Sequence, residues 1–135
     1  MSARVFLDTN VFVYSLDLAD PDKQVRALQL IDERRRDIVV STQVLLELHS
    51  VCTRKLGLTR HQADTAVRSV AKFPVVEADR ELVLQASQLA DDAQLSIFDA
   101  AIVVAARRAG CRTILSEDLG PNQKYGDLAV ENPFG

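Results

Sequence analysis

The sequence predicts an α/β fold: a central parallel sheet of four to five strands, helices on both faces, and a helical hairpin inserted between two of the strands. Three observations lead there. Short apolar runs rich in β-branched residues alternate with longer amphipathic segments, the pattern of a parallel sheet covered on both sides. The 135 residues are 47% hydrophobic and 26% charged, enough for one domain (residues 1–135) with a real core. The first apolar run, Arg4-Val5-Phe6-Leu7, stops abruptly at Asp8-Thr9-Asn10. That places a carboxylate outside the carboxyl end of a strand, where open α/β sheets bind their ligands.

The elements follow in order. Residues 4–8, 37–41, 73–77 and 112–116 are strand candidates, with a further one at 128–131. A short helix is expected over 11–17. Pro21 suits the first turn of the next, 21–36. Ser41 or Thr42 caps a helix over 43–56 that ends at Gly57. Thr59 opens another that runs to about residue 71, and these two make the inserted hairpin. Ala78-Asp79 starts a helix to about residue 92, with an apolar stripe of Leu82, Ala86, Leu89, Ala90 and Ala93. Ser96 opens the last helix, which reaches Ala109 and is closed by Gly110. The final stretch, with Gly120, Pro121, Gly126 and Pro133, reads mostly as loop. There is no internal repeat and no low-complexity linker.

Aromatic residues make up only 5% and tryptophan is absent, so the core is expected to be aliphatic and alanine-rich. The formal net charge is -3. A purely electrostatic DNA coat protein would be strongly basic. An acidic, metal-filled nuclease centre with basic residues only on its rim fits the balance. Arg34, Arg35, Arg36, Arg54, Lys55, Arg60, Arg107, Arg108 and Arg112 are rim candidates, although a solvated helix face accounts for most of them. Cys52 and Cys111 have apolar neighbours and no metal-ligand spacing, which favours buried free thiols and a reducing, cytoplasmic setting. No signal peptide is evident at the start. The longest nearly apolar run, Ala100 to Ala106, is far too short to span a bilayer, so no membrane partner is expected.

Four acids are embedded in, or abut, apolar stretches: Asp8, Glu47, Asp99 and Asp118. Each has an ordinary explanation. Asp8 could cap the helix that follows, as could Asn10. Glu47 borders the stripe formed by Val44, Leu48, Val51 and Cys52, and taken alone it reads as a rim glutamate that swings to water. Asp99 heads a helix that is apolar on nearly every face, where an unpaired acid is unusual. Ser96-x-x-Asp99 nevertheless resembles a capping box, and an acid near a helix N-terminus gains from the macrodipole. Glu117-Asp118 could be a plain turn, and spacing alone does not choose between the two acids.

Jointly the four say more. In a doubly wound sheet the ends of the first and fourth strands share a rim, and helices 43–56 and 96–109 can bring Glu47 and Asp99 to the same crevice. Two carboxylates about 4 Å apart repel by roughly 4 kcal/mol at an effective dielectric of 20. A hard divalent cation such as Mg²⁺ or Mn²⁺, which prefers oxygen donors, removes that repulsion. Thr9, Asn10 and Ser116 could then hold the carboxylates or the cation's waters in place.

The ordered set Phe6-Leu7-Asp8-Thr9-Asn10, Ser41-Thr42-Gln43-Val44-Leu45-Leu46-Glu47-Leu48, Ser96-Ile97-Phe98-Asp99-Ala100-Ala101-Ile102 and Leu115-Ser116-Glu117-Asp118-Leu119 resembles the PIN-domain ribonucleases. Within them it is similar to the toxin halves of bacterial VapBC toxin–antitoxin pairs, and Glu131-Asn132-Pro133-Phe134 looks like the tail of one subgroup. The resemblance spans nearly the whole chain. It implies a PIN-like three-layer α/β/α fold. It implies that Asp8, Glu47, Asp99 and Asp118 are the catalytic, metal-holding quartet, with Asp118 preferred over Glu117. It also implies Mg²⁺- or Mn²⁺-dependent hydrolysis of RNA with 5′-phosphate products, a homodimer, and a cognate antitoxin. Phe98 stands where many relatives carry Trp or Tyr. Helices 43–56 and 59–71 are the expected antitoxin-facing surface. His49 and His61 read as surface or partly packed residues.

Other functions fit less well. A haloacid-dehalogenase-like phosphatase needs a second Asp two residues after the first, and Asn10 stands there. A dinucleotide-binding module needs a glycine-rich turn after the first strand, and Asp8-Thr9-Asn10 has none. A PIN-like RNA-binding or scaffold protein without catalysis would not need the complete quartet.

Overall fold

In the computed structural model, residues 3–120 and 124–135 are described. The run after Arg4 forms β1 (Val5–Leu7), whose three side chains are completely buried. Strands buried on both faces read as continuous apolar runs, because helices cover them above and below. β2 (Ile38–Ser41) is of the same kind, and β4 (Thr113–Leu115) nearly so. Beside them lie β3 (Val75–Val76), β5 (Lys124–Tyr125) and β6 (Leu128–Glu131).

The helices are α1 (Thr9–Leu16), α2 (Pro21–Arg34), α3 (Thr42–Arg54), α4 (Arg60–Val70), α5 (Arg80–Ala93) and α6 (Ile97–Arg108). Their starts are set by side chains that satisfy otherwise unpaired backbone N–H groups. Pro21 begins α2 beside its capping Asp20. Thr59 and Gln62 form a reciprocal capping box for α4. Ser96 Oγ accepts from Asp99 N–H at the head of α6.

The six strands run in the order β3-β2-β1-β4-β6-β5. All neighbours are parallel except β5 and β6. Successive strands step outward one way from β1 and the other way from β4. That reversal makes the gap between β1 and β4 the switch point where a crevice opens beyond the carboxyl ends. Right-handed crossovers put α1–α4 on one face and α5–α6 on the other. In agreement, α1 packs on α3, α3 on α4, and α5 on α6.

The core contains one fully buried phenylalanine, Phe6, and is otherwise dominated by valine, leucine, isoleucine and alanine. In α6, Ala100 and the whole run from Ile102 to Ala106 are buried. Burying a side chain such as Ile102 or Val103 contributes about 1.5–3 kcal/mol, which is why this helix needs no strong propensity of its own. Cys52 and Cys111 are buried free thiols, as expected, and burial pushes the Cys111 thiol up to about 11.

The structure departs from the expectation in the sheet and at several helix ends, α1 starting two residues early at Thr9 and α2 ending two residues early at Arg34. The sheet has six strands rather than four to five, because a two-residue β5 pairs antiparallel with β6. The turn between them is Gly126-Asp127, and Gly126 has φ +68°, the positive value that tight hairpins need. A strand of two residues has no period to detect. The third strand candidate shrinks from 73–77 to Val75–Val76, at the edge of the sheet. The helix expected over 43–56 ends at Arg54, two residues before Leu56. Pro121, expected in a loop, lies outside the described residues.

Candidate functional site

Parallel register places the first two parts of the site side by side. Val5 pairs with Thr113, Phe6 with Ile114 and Leu7 with Leu115. Continuing that register by one residue sets Asp8 against Ser116, and Asp8 N–H donates to Leu115 O at 3.0 Å. Ser116 Oγ donates to Asp8 Oδ2 at 2.7 Å, and Thr9 N–H donates to Asp8 Oδ1 at 2.7 Å. Asp8 is therefore the N-cap of α1, yet its carboxylate is buried and points towards β4 rather than water.

Among the described residues, the buried polar side chains are Asp8, Thr9, Ser41 and Ser116. All four sit at the carboxyl ends of β1, β2 and β4. Each polar atom is satisfied: no buried side-chain N or O among the described residues lacks a partner. Ser116 Oγ is saturated, since it also accepts from Asp118 N–H and Leu119 N–H, both at 3.1 Å.

Glu47 comes from α3 and turns inward. Thr9 Oγ1 donates to its Oε2 at 2.8 Å, and Gln43, one turn earlier on α3, donates to its Oε1 at 2.8 Å. The outward swing considered for an isolated rim glutamate does not occur, because a hydroxyl 38 residues away in sequence holds it. Gln43 Nε2 also donates to Phe98 O at 3.2 Å, which ties α3 to the first turn of α6. Gln43 escaped the sequence reading; its place four residues before Glu47 is the available signal.

Asp99 lies in the first turn of α6, half-buried. Burial is the main cause of its raised carboxyl pKa. The Ser96 hydroxyl counters that, and the Asp118 and Glu47 charges add to it. Asp118 is exposed in the turn after β4, and Asn10 Nδ2 donates to its Oδ2 at 3.1 Å. Burial is also the first cause at Asp8, whose pKa rises to about 6 against the lowering hydrogen bonds from Ser116 and Thr9; the charges of Glu47 and Asp118 push it further up. Glu47 and Asp118 thus act electrostatically on both Asp8 and Asp99.

The neighbouring Glu117 lines the same cleft as Asp118, but its carboxylate has different partners. Tyr14 OH donates to its Oε1 at 2.7 Å and Lys23 Nζ to its Oε2 at 2.8 Å. Burial raises its pKa, and those two partners more than reverse that, leaving it below the usual carboxylate range. Tyr14 and Lys23 were not singled out in the sequence, where nothing local links them to residue 117.

Nothing comparable neutralises the quartet. Among the described residues, the ion pairs are Lys23–Glu117, Arg68–Asp64 and Arg108–Asp79, and none involves Asp8, Glu47, Asp99 or Asp118. The donor set is all oxygen and carries negative charge, which suits a hard divalent cation. Among the described residues, no three carboxylate, imidazole or thiol groups converge closely enough to hold a metal ion as they stand. A cleft of about 460 Å³ is lined by Thr9, Asn10, Tyr14, Lys55 and Glu117 and, of the four acids, by Glu47 and Asp118 but not by Asp8 or Asp99. A larger hollow of about 550 Å³, bordered by Phe12, Leu48, Val70 and Phe73, has no carboxylate in its wall. The acid-bearing cleft is therefore the one equipped for chemistry.

The PIN domain family matches residues 5–126, which covers strands β1 to β5, all six helices and the four acids. The chain belongs to the PIN-domain family. No curated protein matches it by sequence. Solved structures resemble this PIN domain in fold. VapC20 of Mycobacterium tuberculosis, described as a sarcin-ricin loop cleaving toxin, aligns with a TM-score of 0.70 at 20% identity, covering 84% of this chain and 89% of that one. A toxin–antitoxin complex from Klebsiella pneumoniae gives 0.72 at 15% identity, covering 96% and 97%. DNA-bound VapBC from Salmonella typhimurium gives 0.70 at 15% identity, covering 98% and 99%. No helix among the described residues is long and apolar enough to cross a membrane.

Proposed function

We propose that this PIN domain is a Mg²⁺- or Mn²⁺-dependent endoribonuclease, the toxin of a VapBC-type pair. The observation that carries the reading is a buried carboxylate, Asp8, that has no cationic partner among the described residues and is pressed by the charges of Glu47 and Asp118. A structural acid in such a place would normally be paired or replaced. Asp8 and Asp99 would be the principal holders of the cation, with Glu47 and Asp118 completing its surroundings. When bound, the ion supplies positive charge against the phosphodiester and lowers the pKa of the attacking water.

The protein's own share is to aim oxygens. Ser116 and the Thr9 amide fix both oxygens of Asp8, Thr9 and Gln43 fix both oxygens of Glu47, and Asn10 steadies Asp118. Family membership and the fold shared with toxins of VapBC complexes support the assignment. The larger hollow, partly walled by Leu48 of α3 and Ala66 and Val70 of α4 and rimmed by Arg35 and Lys72, supports antitoxin docking on that helical hairpin.

The decisive experiment measures cleavage of RNA by the purified chain with Mg²⁺ or Mn²⁺ and with chelator, beside Asp8→Asn and Asp99→Asn. Removing a cation holder forfeits several kcal/mol of transition-state stabilisation, so a loss of about 10²- to 10³-fold in kcat is expected. Folded variants that cut at the parent's rate reject the site. A parent that binds RNA without cutting it, under any divalent cation, points instead to a binding or scaffold role.

A further inference from the structure

We propose that Tyr14, Lys23 and Glu117 form a positioning device for Asp118, and that Glu117 is not itself a donor to the cation. The proposal rests on the nuclease reading above and asks which of two adjacent acids serves it. Both acids line the same cleft, but their carboxylates are held by different groups. Both Glu117 oxygens are taken, Oε1 by the Tyr14 hydroxyl and Oε2 by the Lys23 ammonium. Lys23 Nζ also donates to Tyr14 OH at 3.1 Å, which closes a triangle of three polar groups.

The triangle is braced from behind. Lys23 Nζ lies 4.6 Å from the centre of the Tyr14 ring, and Phe134 meets that ring edge-on at 4.8 Å. Arg26 Nε donates to Pro133 O at 3.1 Å, so α2 holds the segment that carries Phe134. On the other side, Glu117 N–H donates to Asn10 Oδ1 at 3.3 Å, while the same amide's Nδ2 donates to Asp118 Oδ2. Asn10 therefore spans both acids, and pinning Glu117 pins the frame in which Asp118 sits. Asp118 is exposed, and its carboxylate would otherwise swing with the turn.

A carboxylate engaged at both oxygens by an ammonium and a phenol is a poor donor to an incoming cation, whereas the same engagement makes it a firm anchor. The two roles give opposite signs when Lys23 is removed. If Glu117 were a donor held back by Lys23, Lys23→Met would free it and tighten cation binding. If Glu117 is an anchor, Lys23→Met loosens the turn and weakens binding.

The test is Mn²⁺ affinity by titration calorimetry on the intact chain, alongside kcat and KM for RNA cleavage. Lys23→Met and Glu117→Gln are each expected to weaken Mn²⁺ binding and lower kcat by about 10-fold, with KM little changed. The double variant should be no worse than the worse single, and Lys23→Arg should recover most of the loss. Unchanged or tighter Mn²⁺ binding in Lys23→Met overturns the proposal, as does full additivity. If Lys23→Met fails to fold, Tyr14→Phe removes only one hydroxyl; about a 3-fold loss supports the device, and none rejects it. Failure of the nuclease reading is separately visible, because the parent itself would then cut no RNA under Mg²⁺ or Mn²⁺.

Discussion

The α2 side and the β1 side of the turn after β4 handle negative charge in opposite ways. Towards α2, the Glu117 carboxylate meets an ammonium and a phenol, and its pKa falls below the ordinary range. Towards β1, Asp8 is more deeply buried and meets only a hydroxyl and an amide, and its pKa rises to about 6. Neighbouring regions of one site thus hold one acid that has been neutralised for structure and one that has not. The difference teaches that counter-charge, not burial, separates the two acids, and the proposed site rests on that distinction.

Three further experiments would break or sharpen the contrast. Ser116→Ala should have the largest effect on stability. It deprives two backbone N–H groups and Asp8 Oδ2 of their shared hydroxyl. Leaving buried groups unpaired costs about 1–3 kcal/mol, and a loss near the upper end is expected in urea unfolding. A loss under about 0.5 kcal/mol would mean that the β1 side is not organised around this serine.

Asp8→Asn should act in the other direction on the metal-free protein. The folded pKa of Asp8, about 6, lies above its ordinary value of 3.8, so the fold favours the protonated form. That contribution is complete below about pH 4 and is lost as pH rises through 6. In chelator at pH 7, Asp8→Asn is therefore expected to be more stable than the parent by about 1–2 kcal/mol, while having lost activity. Thermal unfolding between pH 4 and 7 checks both parts: the parent's midpoint should fall across this interval and the variant's should fall less. Equal slopes would remove the claim that Asp8 is an uncompensated charge.

Arg68→Ala should do least. Its partner Asp64 lies one turn earlier on α4, and both are exposed, so a change within about 0.5 kcal/mol is expected. A loss several times larger would show that ion pairs in this protein stabilise it wherever they occur, and the Lys23–Glu117 pair would no longer stand out.

Much of this was legible in the sequence, for identifiable reasons. Asp8 could be read because a parallel strand announces its own end, and Asp99 because the helix behind it has almost no polar face. The six helices and the positions of the main strands followed from caps and apolar runs. Glu47 was ambiguous because its direction depends on Thr9, in another element. The groups that distinguish Glu117 from its neighbour include Lys23, 94 residues away. Periodicity cannot see such pairings. Phe98 shows the reverse error: it belongs to an apolar helix expected to be buried, yet it is 65% exposed beside Asp99.

The two outermost strands, β3 and β5, are each only two residues long. A foreign strand laid along either border would find almost no free backbone to bond with, so extension of the sheet into fibres or swapped dimers has little to start from. The same shortness limits how such a fold can be recognised. Among the described residues, edges this short offer little for a peptide that binds by adding a strand, and the helical layers present far more side-chain surface.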